Sequence, residues 1–190
     1  QVKDADSGVN AGTIAVTVDG TAVSTVTKTA IDGGYKCTCT SPTLKDGSHT
    51  ISVKASDNDG NAAAAKTATF TVDTVPPTLQ ITAPSNDLVT NKKTVTITGK
   101  TDDVTSKPVT VTVNGATVTV GTDGTFTKEV TLVEGANTIT IVAKDKAGKT
   151  TTVTRKVTVD TSAPVIKSIT LTPNPVDCGK TFIIAVEITD

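Results

Sequence analysis

The sequence predicts an all-β chain, built from tandem two-sheet β-sandwiches strung into an elongated rod. Three observations carry that prediction. The first is repetition: residues 72–77 read VDTVPP and residues 159–164 read VDTSAP, and the runs around them agree in order, spacing and turn residues, giving a repeat of about 88 residues. The second is alternation. Ile14, Val16 and Val18 of the first copy match Val109, Val111 and Val113 of the second, and Ile51, Val53 and Ala55 match Ile139, Ile141 and Ala143. A period of two buries one face of a strand and leaves the Thr, Lys and Ser face wet. The third is composition: Thr and Val dominate, aromatic residues make up 2% and Met and Trp are absent, so the apolar surface comes from β-branched side chains that suit a pleated sheet.

Taken in chain order, the second copy reads as seven runs: A (78–83), B (93–101), C, C′, E, F and G, ending near residue 160. Asn114-Gly115 and its counterpart Asp19-Gly20 are hairpin turns between C and C′. Gly33-Gly34 and Asp123-Gly124 open E, and Asp59-Gly60 and Ala147-Gly148 separate F from G. Val72 and Val159 close the last strand of each sandwich, Asp73-Thr74 and Asp160-Thr161 form the turn out of it, and Pro77 and Pro164 open the next unit. Proline fixes φ and donates no hydrogen bond, so it suits a first, edge position and stiffens the joint. The boundaries that result are 1–74, a sandwich lacking strand A and most of B; 75–161, a whole sandwich; and 162–190, two further runs around Ile169 and Leu171 and around Phe182, Ile184, Val186 and Ile188.

The tail carries the type of strand that the head lacks. One reading is a piece of a longer array whose ends are irregular or completed by other pairing. Another is head-to-tail complementation, in which residues 165–188 of one chain fill the first sandwich of the next, forming a non-closing filament. Folding the tail back within one chain ranks below both.

The VDTxxPxxxI sentence, with the VKASDNDGN and VAKDKAGK hairpins, resembles the bacterial immunoglobulin-like repeats of surface adhesins, cell-wall proteins and bacteriophage tail or virion proteins, over essentially the whole chain. The resemblance implies tandem immunoglobulin-like β-sandwiches and an extracellular setting, on a bacterial cell surface or a phage virion. It implies a structural or adhesive role with partners among host or cell-surface glycans and proteins. The alternative is an accessory carbohydrate-binding module of a secreted glycosidase.

With 18 basic and 19 acidic residues and no basic run, the chain has no electrostatic grip on nucleic acid. No apolar run reaches the length of a membrane span. The first ten residues are polar, so an export signal is expected to have been removed or to lie upstream. Catalysis finds little footing. His49 is the single histidine and reads as a surface residue at the start of a strand, and no nucleophile elbow, phosphate loop or Cys-x-x-Cys pair occurs. Tyr35, Phe70, Phe126 and Phe182 are scattered and read as core plugs rather than a sugar-stacking platform. Cys37 and Cys39 share one face of a strand, where a bridge has poor geometry, and read as small core hydrophobes ahead of the alternative of a disulfide to Cys178.

One chemical feature remains. The B–C and F–G loops lie at the same end of such a sandwich, so Asp4 and Asp6 are expected to approach Asp57 and Asp59. In the second copy Asp102 and Asp103 are expected to approach Asp145, beside Asp73 of the incoming linker. Calcium takes about six to eight oxygens, which makes these aspartates candidate calcium ligands, although neither DNDGN nor DADSG has the Glu that completes an EF-hand loop. The other reading is that Asp and Asn stand there because they cap their own backbones in turns, in which case the chain needs no cofactor.

Overall fold

The two-residue turns close as the sequence requires. Asp19 and Gly20 adopt φ of 49° and 79°, and Asn114 and Gly115 adopt 48° and 81°. Two successive left-handed residues make the mirror-image turn that matches the twist of the strands it joins, and Asp-Gly and Asn-Gly reach it at low cost. The computed structural model describes residues 1–40, 42–172, 174–175 and 177–189. Among them the chain is all-β apart from one short 3-10 turn, Ala11–Thr13.

The first sandwich is built from β1 (Val2–Lys3), β2 (Ala15–Val18), β3 (Thr21–Ala22), β4 (Val26–Ile31), β5 (Gly34–Cys39), β6 (Gly47–Lys54) and β7 (Lys66–Val72). It has one sheet in the order β1-β5-β4 and another in the order β3-β2-β6-β7. The second is built from β8 (Thr78–Ala83), β9 (Leu88–Thr90), β10 (Thr94–Asp102), β11 (Thr110–Val113), β12 (Ala116–Val118), β13 (Thr125–Thr131), β14 (Gly135–Lys144) and β15 (Thr150–Val159). Its sheets run β13-β10-β8 and β12-β11-β14-β15-β9. The short β9 has no counterpart among the seven expected runs. It pairs in parallel with Val157–Val159 of β15, and three residues are too few to display an alternation. The chain ends in a hairpin of β16 (Val165–Thr172) and β17 (Ile183–Thr189).

The cores differ in completeness. In the second sandwich Ile97, Val111, Ile139, Ile141, Val157 and Val159 are essentially inaccessible, with Phe126 and Leu132 sealing the edges. Phe126 lies on Gly99, where an added Cβ would stand 2.6 Å from the ring and 2.6 Å from the Gln80 carbonyl, so no larger residue fits. In the first sandwich the buried cluster is Val9, Ile14 and Ala55 with Val2, Tyr35 and Cys37 against it. On the side of β5 away from β4 stand only the two residues of β1, whereas β8 and β10 cover the same position in the second sandwich. An open groove of about 400 Å³ is left, lined by Val16, Val26, Ile51, Val53 and both Cys37 and Cys39.

Two side-chain expectations are corrected. Cys39 is an exposed free thiol rather than a core residue, because β5 has no sheet over its open end, and Cys178, in the turn before β17, is likewise exposed and free. Phe182 is 48% exposed, on a hairpin whose apolar face nothing in the described chain covers. The repeats also differ by two residues in register: Val16 pairs with Val53, whereas Val111 pairs with Ala143, the counterpart of Ala55. An even shift keeps every side chain on its own face.

Candidate metal centre at the joint

The VDTxxP sentence is a set of clamps. After the last strand ends, the Asp73 carboxylate accepts the Val75 N–H at 3.2 Å, and Asp160 accepts the Ser162 N–H at 3.0 Å. The next residue turns back onto its own sandwich. Thr74 donates its N–H and hydroxyl to Asp46, as Thr161 does to Glu134, which holds the Glu134 carboxyl below its ordinary range. Pro77 is buried, and its carbonyl accepts the Thr151 hydroxyl of β15. The Thr101 hydroxyl then donates to Thr78 at 2.6 Å. The first linker is thereby tied to both sandwiches by hydrogen bonds, and the second to the sandwich it leaves.

At the first joint three carboxylates converge. One oxygen from each of Asp73, Asp103 and Asp145 lies within 4.8 Å of the others, and this is the one such group among the described residues. Asp103 and Asp145 are 6% and 5% exposed. Each is held by its other contacts: Asp103 Oδ1 accepts the N–H groups of Thr105 and Ser106, and Asp145 Oδ1 accepts that of Lys149. Oδ2 of Asp73 and of Asp145 is buried without a hydrogen-bond partner. Two unit charges at this separation repel by roughly 3 kcal/mol for an effective dielectric near 20, so the cluster is expensive unless something positive is shared among the oxygens.

The other candidate ligands stand apart from this group. Asp102 points away and pairs with Lys107 at 2.8 Å, the contact that lowers its pKa, so it does not join Asp145 as expected; adjacent residues of a strand face opposite ways, and Asp103 takes the inward position. In the first sandwich Asp4 accepts from Ser7 and Gly8, while Asp57 accepts the N–H and the side-chain amide of Asn61 and is held below its ordinary range by them. Asp6 and Asp59 are exposed. Asp4 and Asp57 act as turn caps.

His49 is not the surface residue that the sequence suggested. Its side chain is 11% exposed, stacked near Phe70, with Nδ1 2.6 Å from Asp19 and Nε2 2.7 Å from the Lys45 carbonyl. The hydrogen bond to Asp19 raises the imidazole pKa and lowers that of the carboxyl. Its counterpart Asn137 likewise donates to the carbonyl four residues upstream, so His49 is a turn clamp, and the register shift brings Asp19 to it. With both ring nitrogens engaged, it is not poised as a base.

Residues 4–74 match the family model of the bacterial Ig-like domain, and residues 77–161 match that of glucodextranase, domain B. The repeats are bacterial immunoglobulin-like domains. Bacillopeptidase F of Bacillus subtilis (strain 168) is 32% identical over 143 residues, covering 75% of this chain and 10% of that protein, so the chain spans about a tenth of its curated relative. Among solved structures, the fibronectin(III)-like modules of Clostridium thermocellum CbhA align at 20% identity over 84% of this chain and 82% of that one, with a TM-score of 0.46. A tetra-tandem repeat from the extending region of a large adhesion protein aligns at 21% identity over 98% of this chain and 56% of that one, with a TM-score of 0.38. No helix of the described immunoglobulin-like chain is long and apolar enough to cross a membrane.

Proposed function

We propose that the chain is a non-catalytic spacer or adhesive segment of a bacterial extracellular protein, on a cell surface or a phage particle, in which immunoglobulin-like domains are set in line. The observation that carries this reading is the repeated clamp: two joints use the same Asp cap, the same Thr-to-acid contact and the same proline. A linker so short and so tied leaves little slack, and stiffness at a joint is a mechanical property rather than a chemical one. Small-angle scattering tests it. An extended particle whose maximum dimension matches two sandwiches end to end is the expected outcome, and a collapsed particle with the domains side by side sinks it.

The match to glucodextranase domain B and the likeness to Bacillopeptidase F favour a second reading, an accessory module of a secreted hydrolase. Retention on insoluble polysaccharide distinguishes the two. The spacer reading requires none, and the aromatic residues of the sandwiches do not form a stacking platform: Phe126 is buried, and the half-covered Tyr35 and Phe70 stand on different sheets.

Self-association belongs to the same proposal. The open face of β16–β17, with Ile169, Leu171, Ile184, Val186 and Ile188 at 45–61% exposure, has the strand order of β8 and β10. The groove of the first sandwich in a second copy is the occupant it fits, since the second sandwich fills the equivalent place with its own strands.

A further inference from the structure

We propose, on the self-association reading above, that β17 of one copy adds antiparallel to β5 of the next, with Ile184 opposite Cys37 and Phe182 opposite Cys39, and that β1 gives up its place to it. Two features of the chain favour this arrangement. The first is the open face of the tail hairpin. Pairing across β16 and β17 puts Ile166, Ile169, Leu171, Ile184, Val186 and Ile188 on one face, since residues directly opposite in an antiparallel pair share a face. With Phe182 they are 45–61% exposed. That leaves about 750 Å² of apolar surface open, more than the roughly 300–600 Å² of the largest patch on a typical monomer and close to the roughly 800 Å² each partner buries in a stable interface. The second is the edge of β5. Among the described residues β1 covers Gly34 and Tyr35 only, so residues 36–39 have no strand on the side away from β4.

The second sandwich supplies the register. Counted from Pro164 and Pro77, the tail hairpin pairs as β8 and β10 do: Val165 with Thr189 as Thr78 with Asp102, and Ile166 with Ile188 as Leu79 with Thr101. Each pairing carries one register shift, and Ile169 comes to stand opposite Val186 as Ile81 does opposite Gly99. Ile184 and Phe182 thus hold the places of Ile97 and Val95, which pair with Lys128 and Val130 of β13. Tyr35 and Phe126 each stand two residues after a left-handed glycine, Gly33 and Gly124, so Cys37 and Cys39 correspond to Lys128 and Val130. Both cysteines line the groove of the first sandwich. A slip of one residue would turn Ile183, Ala185 and Glu187 inward, so the alternation fixes the face. β1 stands in the way, because Val2 opposite Tyr35 holds the place that Val186 would take. Two residue pairs and the Asp4 N–H to the Gly33 carbonyl hold β1 there. In the exchange Val186 restores a valine beside Tyr35, and β17 extends the pairing over residues 36–39.

Sedimentation velocity combined with thiol labelling of the whole chain tests the register. As concentration drives association, iodoacetamide labelling of Cys39 is expected to slow by at least about 10-fold, following the fraction of uncovered β5, while Cys178 keeps its rate. In a chain carrying Cys37→Ser and Cys178→Ser, Phe182→Cys is expected to form an interchain disulfide with Cys39 when diamide is added as oxidant. The product is a ladder on non-reducing gels, mapped by peptide mass spectrometry to positions 39 and 182, and Ile183→Cys, on the opposite face, is expected to give none. Should Phe182→Cys fail to assemble, labelling of the parent chain decides. Association in which Cys39 labels as fast as in the dilute chain, or equal ladders from the two variants, overturns this register and leaves self-association standing. A chain that stays monomeric at high micromolar concentration overturns both.

Discussion

Replacing one isoleucine by alanine at equivalent positions of the two repeats exposes how unequal their cores are. Ile139 has no accessible surface and is ringed by both sheets, whereas Ile51, its counterpart, is half-buried on the wall of the open groove. Ile139→Ala removes three carbons from a closed core. Transfer accounts for about 2.4 kcal/mol and the residual cavity adds one or two more, for a cost near 4 kcal/mol. Ile51→Ala loses only part of the transfer contribution and leaves no enclosed void, because its neighbourhood already opens to water, so about 1 kcal/mol is expected. For domains of this size each kcal/mol moves the melting temperature by roughly 4–8 °C. Scanning calorimetry of the two variants should therefore show the second-sandwich transition falling by 15 °C or more in one and the first-sandwich transition falling by less than about 8 °C in the other. Equal losses would mean that the groove is closed in solution, and that the first core is not incomplete.

The His49–Asp19 pair predicts a pH dependence confined to the first sandwich. The raised imidazole contributes stability that is full below about 6.5 and lost as pH climbs through the folded value, and the lowered carboxyl contributes stability present above 3.8 and lost as pH falls through its own folded value. The NMR titration midpoint of His49 should thus lie above 6.5, and Asp19→Asn should bring it back down. Gly99→Ala drives a Cβ into Phe126 and the Gln80 carbonyl, and is expected to destabilise the second sandwich by about 1–3 kcal/mol in denaturant unfolding, with Phe126→Leu recovering part of the loss. Thr74→Val removes the hydroxyl's contact with Asp46 and keeps the backbone N–H bond to the same carboxylate. It should cost about 1 kcal/mol or less and widen the distribution of interdomain orientations in residual dipolar couplings. The exposed face of β16–β17 predicts association that grows with concentration in sedimentation velocity, and Ile184→Lys should return the chain to monomer; a wild-type monomer at high micromolar concentration would end that reading.

Legibility in the sequence depends on how local the cause is. The hairpin turns at Asp19-Gly20 and Asn114-Gly115 and the alternation of the long strands arise from residues that act within a few positions of themselves, and both are readable from the sequence. The strand β9 is not, because Leu88–Thr90 gains its place by pairing with β15, some seventy residues on. The two-residue slide of β2 is hidden for a related reason: an even shift leaves the alternation of Ile14, Val16 and Val18 intact. At the candidate centre, loop topology brings Asp73, Asp103 and Asp145 to one end, but Asp102 and Asp103 stand equal when only residue order is known. Strand geometry separates them, sending one to Lys107 and the other inward. His49 reads wrongly as a surface residue because its partners, Asp19 and the Lys45 carbonyl, depend on the slide and on a turn clamp visible only beside Asn137.

The use of aspartate rather than asparagine in both copies of the joint separates two duties of one side chain. Capping the N–H two residues on requires a single acceptor oxygen, and Asn performs that task about as well as Asp. The cap at Asp73 uses Oδ1 and leaves Oδ2 buried without a partner, in a side chain that meets Asp103 and Asp145. Capping alone therefore gives no reason to tolerate like charges at that spacing, and an amide there would relieve the repulsion at no cost to the turn. Asp73→Asn distinguishes the duties within one molecule. If the aspartate serves only the turn, the variant is as stable as the parent or more so, with and without calcium. If it also serves an ion, the variant gains stability in chelator and loses its advantage as calcium is added, so the two melting curves cross. Parallel curves, with the variant above at every calcium concentration, would reduce the cluster to three caps that happen to meet.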